Sequence, residues 1–205
     1  MKSIANWISL IRSLLALLVA YLLFQQTQVV YLTCFFLTAL VIWLDGLDGY
    51  VARKFNEVSK AGAVIDILGD RIVEQVYWVT FLALGWVPLW IPLCVLIRGI
   101  LVDGFRSVAL ERGGYTAFGS NTMMTSRLGK LLVSSNASRW LYAFFKAVTF
   151  AFLILAHTPG WPENIHMIMA MIGYGSMGIT LFFCMIRGLP VLIEGRRFLI
   201  STGQT

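Results

Sequence analysis

The chain has 205 residues, 59% of them hydrophobic and 13% charged, and a formal net charge of +6. Soluble domains carry about 25% charged residues, so composition excludes an ordinary soluble domain and, with a mean hydropathy of +0.80, marks an all-α integral membrane protein of one domain over residues 1–205. The positive excess sits mostly at one set of helix ends, so anionic lipid is an expected contact and nucleic acid is not an expected partner.

Apolar runs fall at 8–24, 29–52, 64–84, 87–110, 140–156 and 165–186. Most approach the roughly 20 residues that span a bilayer core, and they predict six transmembrane helices. The first run is short, carries Arg12 and Ser13, and is expected to be preceded by an interfacial helix over 1–8. It leads straight into Gln25-Gln26-Thr27-Gln28 without a small-residue cleavage pattern, unlike a cleaved signal. Asn6, Ser9 and Arg12 share one face at its entrance, which reads locally as an N-cap and a snorkelling Arg.

The second and third runs meet in the densest acidic stretch of the chain. Asp45, Asp48, Gly49, Ala52 and Arg53 lie before a polar connection over 54–61, and Gly62, Asp66 and Asp70 follow it. Asp45 and Asp48, three apart, share a helix face, as do Asp66 and Asp70, four apart. A carboxylate at a bilayer centre costs roughly 2.5–3.5 kcal/mol, so four must face one another, a cavity or cations. Hard divalent cations take such oxygen ligands, and a pair about 3.5–4 Å apart can clamp a phosphate under attack. Arg53, one turn past Gly49, is placed to hold a diphosphate. The plainer alternative is a helical hairpin whose acids pair with neighbouring Lys and Arg. Glu74 extends the acidic face by a turn and is expected to pair with Arg71 or a basic residue of the fourth helix, a direct metal role being the alternative.

The fourth run carries Arg98, Asp103 and Arg106. Intramembrane Arg is rare and usually functional. Arg98 and Arg106 share a face that suits an anionic acceptor, with Asp103 orienting Arg106, unless they merely neutralise Asp66, Asp70 and Glu74. Residues 112–138 read as the longest polar loop. Arg139 and Lys146, seven apart, lie on one face of the fifth run. The sixth run reads as scaffold, His157 and His166 as interfacial, and Cys34, Cys94 and Cys184 as packing residues.

The pattern D-x2-D-G-x2-A-R-x8-G-x3-D-x3-D over 45–70 resembles the signature of the CDP-alcohol phosphotransferase family, membrane enzymes of phospholipid headgroup synthesis. All eight positions match, and a chance match at one window is about one in a billion at ordinary residue frequencies. The resemblance implies transfer of a substituted phosphate from CDP-diacylglycerol to an alcohol with release of CMP. It implies two magnesium or manganese ions on Asp45, Asp48, Asp66 and Asp70, and Asp70 as the catalytic base. It places Asn6, Asp48, Gly49, Ala52, Arg53, Gly62 and Asp66 around the nucleotide donor, with Ser9 and Arg12 bordering that site. Relatives with phosphorylated acceptors place basic residues on the fourth and fifth helices, so Arg98, Arg106, Arg139 and Lys146 are the candidate acceptor residues. They favour glycerol 3-phosphate, with inositol phosphate, inositol, serine or an amino alcohol as alternatives. Gly46 stands where glycerol-phosphate enzymes usually have an aromatic, and Lys130-Leu-Leu-Val where they tend to have Lys-x-Lys-Thr. Homodimers are common in the family.

The turns near 25–30, 85–91 and 157–165 lack Lys and Arg, whereas the opposite ends are basic. The positive-inside rule therefore predicts cytosolic termini and a cytosol-facing acidic motif in an integral membrane protein, of the cytoplasmic membrane if the source is a prokaryote. A divalent-cation transporter or a non-catalytic scaffold would not need the Gly, Ala and Arg positions.

Overall fold

The computed structural model describes residues 4–54, 60–114 and 122–200, with side chains except at 4–6, 48–54, 60, 61, 63, 112, 113, 199 and 200. The described chain is helical: α1 (Ile4–Leu23), α2 (Gln28–Lys54), α3 (Lys60–Ala83), α4 (Trp90–Gly113), a three-residue turn α5 (Arg127–Gly129), α6 (Asn136–Ala156) and α7 (Glu163–Ile200). The six long helices track the six apolar runs. Residues from Ile4 run unbroken into α1, with no separate interfacial element among the described residues. Within the expected loop over 112–138, α5 continues into a π-helical turn, Lys130–Ser134, and Ser135 accepts from the Ser138 amide as the N-cap of α6. Helix α7 runs well past the apolar segment to Ile200 and accommodates Pro190.

Among the described residues, three helical spans are long and apolar enough to cross a membrane: Gln28–Leu47, Asn136–Ala156 and Glu163–Phe198. Helices α3 and α4 have the length but are studded with ionisable residues, Asp66, Asp70, Arg71 and Glu74 in one and Arg98, Asp103 and Arg106 in the other. Large apolar side chains are exposed on all six long helices, among them Leu17, Phe36, Ile72, Ile97, Phe144 and Met171. Water would not tolerate so much apolar surface; lipid does, and the protein is a membrane protein.

The chain divides into two compact units, Met1–Pro92 with Ala147–Gly175, and Leu93–Lys146 with Ser176–Thr205. In the first, α1 packs on α2 and α3. It buries Ser9, Arg12, Ser13, Ala16, Val19 and Leu23, a stripe at helical spacing. Along α3 the buried positions Glu74, Tyr77, Trp78 and Phe81 continue that interior. Tyr77 stacks on Phe150 at 4.7 Å, Phe81 on Trp86 at 5.2 Å, and the Tyr77 hydroxyl donates to Thr38 at 2.9 Å. Such ring pairs each add about 0.5–1.5 kcal/mol beyond their buried area. The second unit packs Val102, Ala109, Met123, Met124, Val133 and Val191 together. Glu194 secures its irregular segment by accepting from the Thr125 hydroxyl at 2.8 Å and the Ser126 hydroxyl at 2.5 Å.

His157 is more than interfacial. It stacks on Trp86 at 4.2 Å, its Nδ1–H donates to the Leu153 carbonyl at 2.9 Å, and Tyr174 Oη lies 3.3 Å from Nε2. Burial lowers its pKa below the ordinary 6.5, against the hydrogen bond to Leu153, and His166 adds a smaller push the same way. The unfolded chain therefore binds the extra proton first as pH falls, so stability drops from about pH 6.5 down to the folded value and then levels. His157→Phe, which keeps a ring on Trp86, should flatten that limb in thermal unfolding between pH 5 and pH 8; an unchanged limb would assign it to other groups.

Candidate functional site

Asp45 from α2 and Asp66 and Asp70 from α3 converge in the first unit, each offering a carboxylate oxygen within 4.8 Å of the others. The i, i+4 spacing puts Asp66 and Asp70 on one face of α3. Behind them lies Arg12 of α1, its side chain 2% exposed while the three carboxylates are 48–52% exposed. Its Nη2 donates to Asp70 Oδ1 at 2.8 Å and lies 4.0 Å from Asp66, and its Nη1 pairs with Asp45. Gly69 leaves room beside it: a Cβ there would sit 3.2 Å from Arg12 Nη2, a tight contact. The wall of the site is thus a buried cation, and the acids present their other side outward.

This corrects the local reading of Arg12 as a snorkelling residue. Among the described side chains, the counter-charge for the acids comes from Arg12 of α1; the side chains of Arg53, Lys54 and Lys60 lie outside the described ones. Glu74, 2% exposed, pairs with Arg71 at 3.1 Å, as its spacing predicts. Asp48, Gly49, Ala52 and Arg53 lie on α2 with side chains outside the described ones, as does the side chain of Asn6 on α1; Gly62 opens α3.

The set of oxygens fits a hard cation. Oxygens around one magnesium at 2.0–2.1 Å lie at most about 4.2 Å apart, close to the observed span. With no Cys or His in the group, a soft metal is disfavoured.

The candidate acceptor residues lie in the second unit. Arg106 pairs with Asp103 at 3.9 Å, as expected. Arg139 donates to Asn136 one turn earlier. Arg98 and Lys146 come to one ring, Tyr142, at 5.9 and 5.5 Å from its centroid. A third cation joins them there: Arg187 of α7, at 5.4 Å, buried and donating to the Ser138 carbonyl at 2.8 Å. From sequence α7 reads as scaffold and Arg187 as one of the basic residues at its end. Its signal was that of Arg98, an Arg inside a long apolar helix, but at 41 residues from Lys146 no periodicity links the two. The second unit holds ten Lys and Arg against three Asp and Glu, so the chain's whole positive excess resides in it.

The sequence model of the CDP-alcohol phosphatidyltransferase family matches residues 2–182. The chain belongs to this family. Among curated relatives, a CDP-diacylglycerol–glycerol-3-phosphate 3-phosphatidyltransferase of Mycoplasma genitalium is 27% identical over 130 residues, covering 54% of this chain and 54% of that protein. The protein of the same name in Bacillus subtilis is 27% identical over 112 residues, 55% of this chain and 57% of that one. A cardiolipin synthase (CMP-forming)/mitochondrial hydrolase fusion protein of Schizosaccharomyces pombe is 33% identical over 101 residues, 49% of this chain and 16% of that protein. The chain thus spans between a third and little more than half of the length of the glycerol-phosphate relatives it matches. Among its motif residues with described side chains, Asp45, Asp66 and Asp70 are the ones that the fold brings together.

Proposed function

We propose that this chain transfers the phosphatidyl group of CDP-diacylglycerol to glycerol 3-phosphate, releasing CMP, with divalent metal on its aspartates. The observation that carries the reading is the convergence of Asp45, Asp66 and Asp70 from two helices, half-exposed, in front of the buried Arg12. Asp45, Asp66 and Asp70, with Asp48, would hold two magnesium or manganese ions. Bound there, the metal would neutralise the donor diphosphate and charge developing on the departing CMP. Arg12 keeps the carboxylates gathered, and Arg53 holds donor phosphate. Asp70, engaged by Arg12 through Oδ1, takes the acceptor hydroxyl proton on its other oxygen. Arg98, Arg106, Arg139, Lys146 and Arg187 bind the acceptor's own phosphate through charge-assisted hydrogen bonds. The six long helices span the membrane with both termini and the aspartates on the cytosolic side, as the basic residues argue. The family match runs through both units, which supports a single catalytic domain.

The test is the purified protein with CDP-diacylglycerol and a panel of acceptors: glycerol 3-phosphate, inositol phosphate, inositol, serine and phosphatidylglycerol. The last is included because of the CMP-forming cardiolipin synthase relative. CMP release with glycerol 3-phosphate, giving the corresponding phosphatidyl product, is expected; turnover with phosphatidylglycerol or a neutral acceptor alone would reassign the enzyme within the family. Chelation should abolish turnover and magnesium or manganese restore it, with calcium, larger and more loosely coordinated, supporting little. Full activity in excess chelator would remove the metal from the reading.

Arg106→Ala, Arg139→Ala and Lys146→Ala should each raise the acceptor KM with little change in kcat, because the acceptor's phosphate does not react and is held alike in ground and transition states. Arg53→Ala should instead raise the donor KM. Steady-state kinetics in both substrates separates the two patterns; unchanged acceptor KM in all three variants would reduce these residues to structural charges.

A further inference from the structure

We propose that residues 127–134 form an interfacial anchor, which takes the headgroups of anionic bilayer lipids on Arg127 and Lys130 and sinks Leu128 and Leu131 beneath them. The place of this segment in the chain sets its depth. Ser135 follows it directly and caps α6, a helix long and apolar enough to cross a membrane. An element joined to the mouth of such a helix lies at the membrane surface. Trp140, one turn inside α6, is 77% exposed, and Trp is enriched at that boundary. The inference holds whichever alcohol the enzyme uses.

Packing leaves the right groups outside. Gly129 and Val133, four apart, are buried, and Val133 joins the core that holds Met123 and Met124. Glu194 fixes the start of the segment through Thr125 and Ser126. Leu128 and Leu131 are left 70% and 63% exposed, and Arg127 and Lys130 are exposed beside them. Exposed leucines alone would be ordinary surface. Here they stand with two cations that form no ion pair among the described residues. Leucine next to Lys and Arg is the composition of a helical turn lying in an anionic interface. A second copy of the chain is the competing occupant. An isologous contact centred on the segment would set Arg127 and Lys130 against themselves, in a unit with ten Lys and Arg against three Asp and Glu. Charge therefore favours an anionic lipid surface over a self-contact.

The test reads depth and lipid selectivity at the segment itself. Full-length protein carrying Leu128→Cys or Leu131→Cys is labelled with a nitroxide. It is reconstituted into vesicles of phosphatidylcholine alone or of equimolar phosphatidylcholine and phosphatidylglycerol. The native cysteines are buried or half-buried, and wild type taken through the same labelling gives their background. Relaxation by oxygen, which concentrates in lipid, and by a neutral nickel chelate, which stays in water, reports the depth of each label. Both labels should favour oxygen, and more so in the anionic vesicles. Adding Arg127→Gln and Lys130→Gln should abolish that increment. The same pair should lower the ratio of phosphatidylglycerol to phosphatidylcholine retained on extraction from the mixed vesicles by about fivefold or more, since one cation near an anionic leaflet is worth about that factor. Labels relaxed chiefly by the nickel chelate in both vesicles would overturn the proposal, as would an increment that survives loss of both cations. Labels shielded from both reagents, with Leu128→Ser or Leu131→Ser lowering the oligomeric state, would give the surface to a second copy and also overturn it. If the cysteine variants do not fold, the retained-lipid ratio decides alone, and an unchanged ratio in the Gln variant would overturn the anchor.

Discussion

Asp70→Asn should lower turnover about 10²–10⁴-fold, the range for loss of a general base. The amide is isosteric, so α3 is undisturbed, but it cannot accept the acceptor's proton, and it removes one of three converging charges. Donor binding should survive better in this variant than in Asp45→Asn, whose loss falls on metal holding, or Asp66→Asn, whose loss falls on metal holding and on the donor. The decisive measurement is single-turnover CMP release beside equilibrium binding of CDP-diacylglycerol at saturating magnesium. A variant that binds donor and turns over normally would remove Asp70 from the chemistry. Equal loss of donor binding in all three variants would make it a metal ligand with no separate catalytic role.

Arg12→Gln should destabilise the fold by about 1–3 kcal/mol in chelator. Removing one partner of a buried ion pair costs about 3–5 kcal/mol. Here the figure is discounted because the three carboxylates are about half exposed and partly screened by water. Gln fills much of the space beside Gly69 but leaves Asp45, Asp66 and Asp70 repelling one another. Magnesium should therefore raise the unfolding midpoint of the variant by more than it raises that of wild type, since ligand binding to the folded state stabilises by mass action and here also relieves repulsion. Detergent-solubilised protein, unfolded thermally with and without magnesium, tests both statements. Equal midpoints for variant and wild type in chelator would make Arg12 a bystander to the acids.

Much was legible because its cause is local. A bilayer demands long apolar runs, so the six long helices of the structure could be placed to within a few residues at most ends. The i, i+3 and i, i+4 spacings of the carboxylates put each pair on one helix face, and Glu74 found Arg71 one turn away for the same reason. The start of α6 was missed because Asn136 and Ser138 look like loop residues; Ser135 caps there, and a cap is read as polar sequence until its hydrogen bond is seen.

By itself the sequence determined the family, the acidic motif and the helical, membrane-embedded class, since each depends on residue types at short, fixed separations or on apolar length. Only the tertiary structure decided the partners of those charges. Arg12 is 33 residues from Asp45 and 58 from Asp70, and it reaches both because α1 packs on α2 and α3 and Gly69 has no side chain in the way. Arg98, Lys146 and Arg187 lie on three helices and meet at Tyr142 through packing that no single periodicity encodes. Contacts between helices depend on which faces meet and how closely, and in a membrane small residues such as Gly69 and Gly188 set that closeness.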